Sequence, residues 1–217
     1  MKAFVSWSGG KDCMLALHRF LKNPKNKVDC LINMCNSEGT HSRSHGIKKQ
    51  LIQVQANCME IPIIQKATNK EEYAKKFKDI INELKNENID TGVFGDIYLK
   101  EHRIWIEQLC NEMGIMPVFP LWETNTTDLL KEFINEGFKA IVVAINNIKL
   151  TNNWLERIID NEFLDDVIQL KNIDPSAENG EYHSYVYDGP LFKKPVSFTK
   201  GKIHAETKNN FVELILK

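Results

Sequence analysis

The apolar run MKAFVSW passes without a break into SGGKD, and SGGKD passes directly into a stretch of helical period. This junction limits the fold more than any other part of the chain. Residues 2–7 read as a buried strand, and the apolar positions 14, 15, 17, 20 and 21 form one face of a helix. The loop between them lies at the carboxyl end of a strand, where open α/β sheets collect ligands. Gly9 and Gly10 allow a tight turn that aims backbone N–H groups inward. Lys11 adds a point charge, and the helix beginning near Asp12 adds its positive end. The spacing is neither GxxxxGK[ST] nor GxGxxG. A loop this short fits a compact diphosphate, which favours chemistry that releases pyrophosphate and transfers AMP. The alternative for residues 8–13 is an ordinary glycine-rich strand-to-helix turn.

The alternation continues. Strands are expected at 28–35, in IPIIQK, at 91–97, in IMPVFPLW and in KAIVVAI. Helices are expected at 46–59, at 70–86, over KEHRIWIEQLCNEMG, and over TTDLLKEFINEG with Thr126 or Thr127 as its cap. This predicts an α/β fold with a doubly wound, mostly parallel sheet over residues 1–145, the nucleotide-binding unit. From residue 151 the pattern changes to short helices and then antiparallel strands, with a turn at TKGK. Residues 146–217 therefore read as a smaller α+β lobe that binds substrate, laid against the carboxyl edge of the sheet.

Composition removes some partners. Lys and Arg total 28 against 29 Asp and Glu, so a broad basic face for nucleic acid or membrane is not expected. The five cysteines, at 13, 30, 35, 58 and 110, contain no CxxC pair and read as reduced thiols of a cytoplasmic protein. The opening apolar run is too short for a secretion signal, and no later stretch approaches a membrane span.

Candidate functional groups fall in three further stretches. HSRSH holds His41, Arg43 and His45, and Arg43 has the bidentate geometry for a carboxylate or a phosphate. Two histidines four apart with no cysteine pair make a poor zinc site. Gly95 and Asp96 end a strand, where Asp96 could hold Mg²⁺ or act as a simple cap; His102 and Arg103 follow as pocket residues or as a solvated helix start. Asp12 could likewise hold Mg²⁺ beside a diphosphate, or could complement the helix dipole. Glu178, Glu181 and His183, with a glycine between the glutamates, could supply a general base, or could be alternate residues of a strand facing solvent.

SGGKD after a first strand resembles the signature of the N-type ATP pyrophosphatases. Together with EGTHSRSHG, VFGDIYLKEHRIWIE and IDPSAENGEYHSYVYDGPLF, the chain is similar to the diphthine–ammonia ligase family within them. The resemblance implies a Rossmann-like, HUP-type sheet that binds ATP and Mg²⁺. It implies adenylation of a carboxylate, displacement of AMP by ammonia, and formation of an amide. It also implies diphthine on elongation factor 2 as acceptor, and it allows a homodimer. On this basis Ser8, Gly9, Gly10, Lys11, Asp12, Cys13, Arg43, His45, Gly95 and Asp96 would contact the nucleotide, and Glu178, Glu181 and His183 would serve the chemistry. Cys13 stands where the family usually has serine, Ala177 and Glu156 where it usually has glycine, and Ser184 where it has threonine. An adenylating tRNA-thiolation transferase and a non-catalytic adenine-nucleotide module are the competing readings.

Overall fold

The computed structural model describes residues 1–43 and 45–217. Ser44, inside the HSRSH motif, lies outside the described residues.

Strands β1 (Lys2–Ser6), β2 (Lys27–Cys35), β3 (Ile63–Ala67), β4 (Thr91–Val93) and β5 (Met116–Val118) form one wholly parallel sheet in the order β3-β2-β1-β4-β5. Helices α1 (Lys11–Leu21), α2 (Lys49–Cys58), α3 (Tyr73–Lys85) and α4 (Lys100–Met113) are the crossovers. The chain winds outward from β1 to β3 and then returns to β4 on the other side of β1. The loops after β1 and β4 therefore diverge at the sheet's switch point and open a crevice between them.

One face of the sheet buries Phe4, Ile32, Phe77, Ile81, Ile106 and Leu109 under α3 and α4. The other face packs α1 and α2, and their far sides meet a second sheet through Met14, Leu51, Ile52, Val143, Tyr185 and Val186. This second sheet contains β6 (Lys139–Asn146), β7 (Tyr182–Asp188), β8 (Phe198–Ala205) and β9 (Asn209–Leu216), in the antiparallel order β7-β6-β9-β8. Helices α5 (Thr126–Asn135) and α6 (Asn161–Val167) belong to the same half.

Three local expectations change. The run KAIVVAI does not extend the parallel sheet; it lies antiparallel between β7 and β9. A continuous apolar run specifies burial on both faces, and it carries no information about which strand will pair with it. The cap of α5 is Asn125, whose side chain accepts from the Thr127 and Asp128 N–H groups at 3.0 and 3.2 Å, rather than either threonine. TKGK is not a turn. β8 runs through it, the register shifts between Lys200 and Ile203, and the chain reverses after Ala205, where Glu206 N–H reaches Asn209 O at 2.8 Å. A glycine inside a strand marked an irregularity in the ladder, as a bulge does. Among the described residues, no helix is long and apolar enough to cross a membrane.

Candidate active site

The loop after β1 is held from three sides. Gly9 adopts φ +86°, and a side chain there would lie 2.3 Å from Ile52 Cδ1. Its carbonyl accepts from Val186 N on β7 and from Gln55 Nε2 on α2, each at 3.0 Å. Gln55 is completely buried; its amide also donates to Val186 O at 2.6 Å and accepts from the Trp7 indole at 2.8 Å. Losing that side chain would strand several buried polar groups, at about 1–3 kcal/mol each. Gln55 was not among the expected residues. Its one signal in the sequence is a polar side chain on the apolar stripe Leu51, Ile52, Ala56 of α2.

α1 starts at Lys11 with Gly10 as its cap, one residue earlier than expected. The Lys11 N–H donates to Ser184 Oγ at 3.2 Å, so β7 touches the first turn of the helix. The Lys11 ammonium is buried. It bonds both Asp12 oxygens at 3.0 and 2.9 Å, donates to Ser176 O, and lies 5.3 Å from the Tyr182 ring centre. Burial raises the Asp12 carboxyl above its ordinary value, and the Lys11 charge opposes that shift. Ser8 Oγ accepts from the Gly10 N–H at 3.3 Å. The Cys13 thiol donates to Gly10 O at 3.2 Å and lies 3.4 Å from Ser8 Oγ; burial pushes its pKa up, so it stays a neutral packing group.

The loop after β4 closes the second side. A side chain on Gly95 would lie 2.9 Å from the Cys13 backbone nitrogen, so glycine is what lets this loop lie against α1. Asp96 follows, paired with His102, whose pKa its carboxylate raises. The Ile97 N–H, and more weakly that of Tyr98, donates to Glu178 Oε1, at 3.0 and 3.5 Å.

The third side comes from residues 173–184. Asp174 Oδ1 accepts from the Ser176 and Glu178 N–H groups at 2.8 and 3.4 Å, and the Tyr182 hydroxyl donates to Pro175 O at 2.6 Å. Ala177 sits in the left-handed region at φ +57°, as does Glu156 at φ +64°. Both positions that depart from the family's glycine pattern thus keep a glycine-like backbone. Each costs about 1–2 kcal/mol in an L-residue.

These sides enclose a cleft of about 320 Å³, lined by Ser8, Lys11, Asp12, Cys13, His45, Gly95, Asp96, Glu178 and His183 among the expected residues. His102, also expected as a pocket residue, lines it too, and Trp7, Ser42, Tyr73, Tyr182 and Ser184 are among the others. Burial pushes Glu178 up to about 6, the Ile97 hydrogen bond opposing, and Asp12 and Asp96 add to the rise. Burial, aided by Lys11, lowers His183 to about 4. Its ring lies 4.5 Å from that of His45, which burial and then the His183 neighbour hold well below the usual imidazole range.

Gly9 and Gly10 do not line the cleft directly, Arg103 bonds Glu107 and lies over the Trp122 ring, and Glu181, Arg43 and His41 also stand elsewhere. Glu181 is 1% exposed and faces away from the cleft. Its carboxylate accepts from Lys149 Nζ and Asn179 N at 3.1 Å each, and distantly from Asp174 N at 3.5 Å, so it ties the loop together. Glu178 and Glu181 do not share a face, because the left-handed turn at Gly180, φ +71°, rotates the chain between them. Arg43 lies exposed on the rim with its guanidinium 5.7 Å from the Tyr73 ring, where solvation suits its charge. His41 is also outside the cleft, bonded to Thr40 Oγ1 at 2.9 Å. Cys35 and Cys58 are buried with raised pKa values, an environment unlike that of a sulfur-carrying thiolate. No cluster of three or more His, Cys, Asp or Glu able to hold a metal occurs among the described residues.

Comparison with known proteins gives one consistent family. Residues 1–117 match the model of the diphthamide synthase N-terminal domain, and residues 125–215 match that of the diphthamide synthase C-terminal domain. Relatives named diphthine–ammonia ligase include those of Schizosaccharomyces pombe, 25% identical over 94% of this chain, and Homo sapiens, 24% identical over 97%. The matched region spans 37% of the S. pombe protein and 88% of the human one. A solved structure described as a "predicted subunit of tRNA methyltransferase" from Methanocaldococcus jannaschii aligns with 90% of this chain and 100% of its own, at 17% identity and a TM-score of 0.45.

Proposed function

The chain belongs to the diphthamide synthase family, and we propose that it is an ATP-dependent amide ligase that joins ammonia to the carboxylate of diphthine on elongation factor 2. One observation carries the reading. A single cleft at the switch point gathers phosphate-binding groups from the β1 loop and proton-accepting groups from the second half of the chain. The matched relatives' shared name supplies the substrate class.

ATP lies with its β- and γ-phosphates against residues 8–12, where the N-terminus of α1 and the Lys11 ammonium favour negative charge. The acceptor carboxylate attacks the α-phosphorus, and pyrophosphate leaves toward those preorganised donors. Ammonia then attacks the acyl carbon and AMP departs. Glu178 faces this cleft, and its raised pKa near 6 suits a group that takes a proton from the attacking nitrogen. His183 stays neutral at working pH and offers a hydrogen bond without repelling Lys11.

Asp12 and Asp96 both line the cleft, and Asp12 is a desolvated anion that one lysine only partly compensates. They fit Mg²⁺, which commonly takes one or two carboxylates together with substrate phosphates. When bound there it would neutralise phosphate charge.

Product analysis tests the proposal. With ATP, ammonium and elongation factor 2 bearing diphthine, the protein is expected to form AMP, pyrophosphate and amide in equal amounts. Formation of ADP, or nucleotide binding with no turnover, would defeat it.

A further inference from the structure

Behind the cleft lies a second cavity of about 310 Å³, between α2 and the second sheet. Leu51, Val143, Val212 and Leu214 give it apolar walls, while His41, His204 and the Lys48–Glu213 ion pair supply polar groups at its margin. One residue, His45, lines both this cavity and the cleft. Its ring rests against the phosphate loop so closely that a side chain on Gly10 would lie 2.3 Å from Cε1. Its Nδ1 lies 3.2 Å from Ser184 O. His45 thus stands where the charged cleft and the largely apolar cavity adjoin.

We propose that this cavity is the entry route for uncharged ammonia, and that the His45 ring is the partition through which it reaches the reacting carbon. The inference rests on the acyl-adenylate reading above. That chemistry needs an amine with a free lone pair and needs water kept away from a labile intermediate. Apolar walls penalise ammonium, which sheds its proton to solvent outside, and they admit the neutral molecule. In the cleft the nitrogen lone pair forms the N–C bond. The C–O bond to the adenylate breaks, its electron pair leaves with AMP, and one nitrogen proton passes to the Glu178 carboxylate. A neutral His45 adds no charge to this path.

Val212→Phe fills the cavity without altering the cleft lining. Two quantities are measured with elongation factor 2 bearing diphthine: the KM for ammonium, and the acceptor-dependent exchange of labelled pyrophosphate into ATP. The ammonium KM is expected to rise about tenfold or more while exchange changes by less than about twofold, the mark of a block on the amine alone. An unchanged ammonium KM in a folded variant with normal exchange would overturn the route. A second measurement needs no variant: the unaltered protein should use hydroxylamine and methylamine and reject tert-butylamine. Equal use of all three would also overturn it. Absence of exchange in the unaltered protein would instead remove the adenylate reading, and this route with it.

Discussion

The loop of residues 7–12 and the loop of residues 173–184 meet across one cleft, yet they are held in different ways. The first is clamped by the buried Gln55 amide and by β7, and it presents a cation and a helix N-terminus. The second is tied by its own carboxylates, Asp174 and Glu181 turning back onto backbone N–H groups and Lys149, and it presents an acid and a neutral imidazole. One side can stabilise departing phosphate; the other can take up a proton. Keeping these tasks on separate halves of the chain lets burial raise Glu178 while Lys11, the first residue of α1, keeps its charge at the phosphate end of the cleft.

The comparison breaks most sharply at Lys11. Lys11→Ala should lower kcat/KM for ATP by about 10²–10³-fold, as removing one preorganised donor does. Calorimetric titration should show the nucleotide affinity falling with it. Undiminished ATP affinity would mean that the first loop is not the phosphate holder.

The two glutamates divide the second loop. Glu178→Gln should reduce turnover by about 10²–10⁴-fold, the range for a lost general base. It should also abolish a rise in kcat/KM through pH 6 that the unaltered protein shows as the carboxylate forms. Its effect on stability has the opposite sign. A carboxyl raised from 4.5 to about 6 in the folded state makes folding less favourable as pH rises through that window. The amide variant should therefore gain about 1 kcal/mol at pH 7 after allowance for partial solvent screening, a gain that vanishes below the unfolded pKa. Glu181→Gln should do the reverse. It should lose about 1.5–3 kcal/mol in denaturant unfolding by weakening buried, charge-assisted bonds, with the smaller loss of turnover. Equal kinetic losses in both variants would erase the distinction between them.

The smallest effect sharpens the account of the second loop. Ala177→Gly should stabilise the protein by about 0.5–1 kcal/mol, the left-handed penalty relieved less the extra chain entropy glycine loses on folding. Thermal unfolding measures it, and a loss of stability would mean that the buried methyl packs more than it strains.

Much of the first half was readable because its signals are contiguous. A strand, two glycines, a lysine and an aspartate in register with a helical stripe imply a strand–loop–helix phosphate site before any distant contact is considered. The rest, in both halves, resisted because its signals are not local. KAIVVAI announces burial but not its antiparallel neighbours. Arg43 advertises a charge without saying that it stays on the rim. Gln55 shows itself only as a polar exception on an apolar stripe.

The sequence by itself determined the parallel sheet, the loop after β1 and the set of acids and bases from which a site could be made, because local spacing and periodicity act through neighbouring residues. Only the tertiary structure decided that Glu178 faces the cleft while Glu181 supports the loop behind it, and that His45 stands between two cavities. Those outcomes depend on which surfaces a fold brings together, and burial and field at a side chain are properties of that assembly.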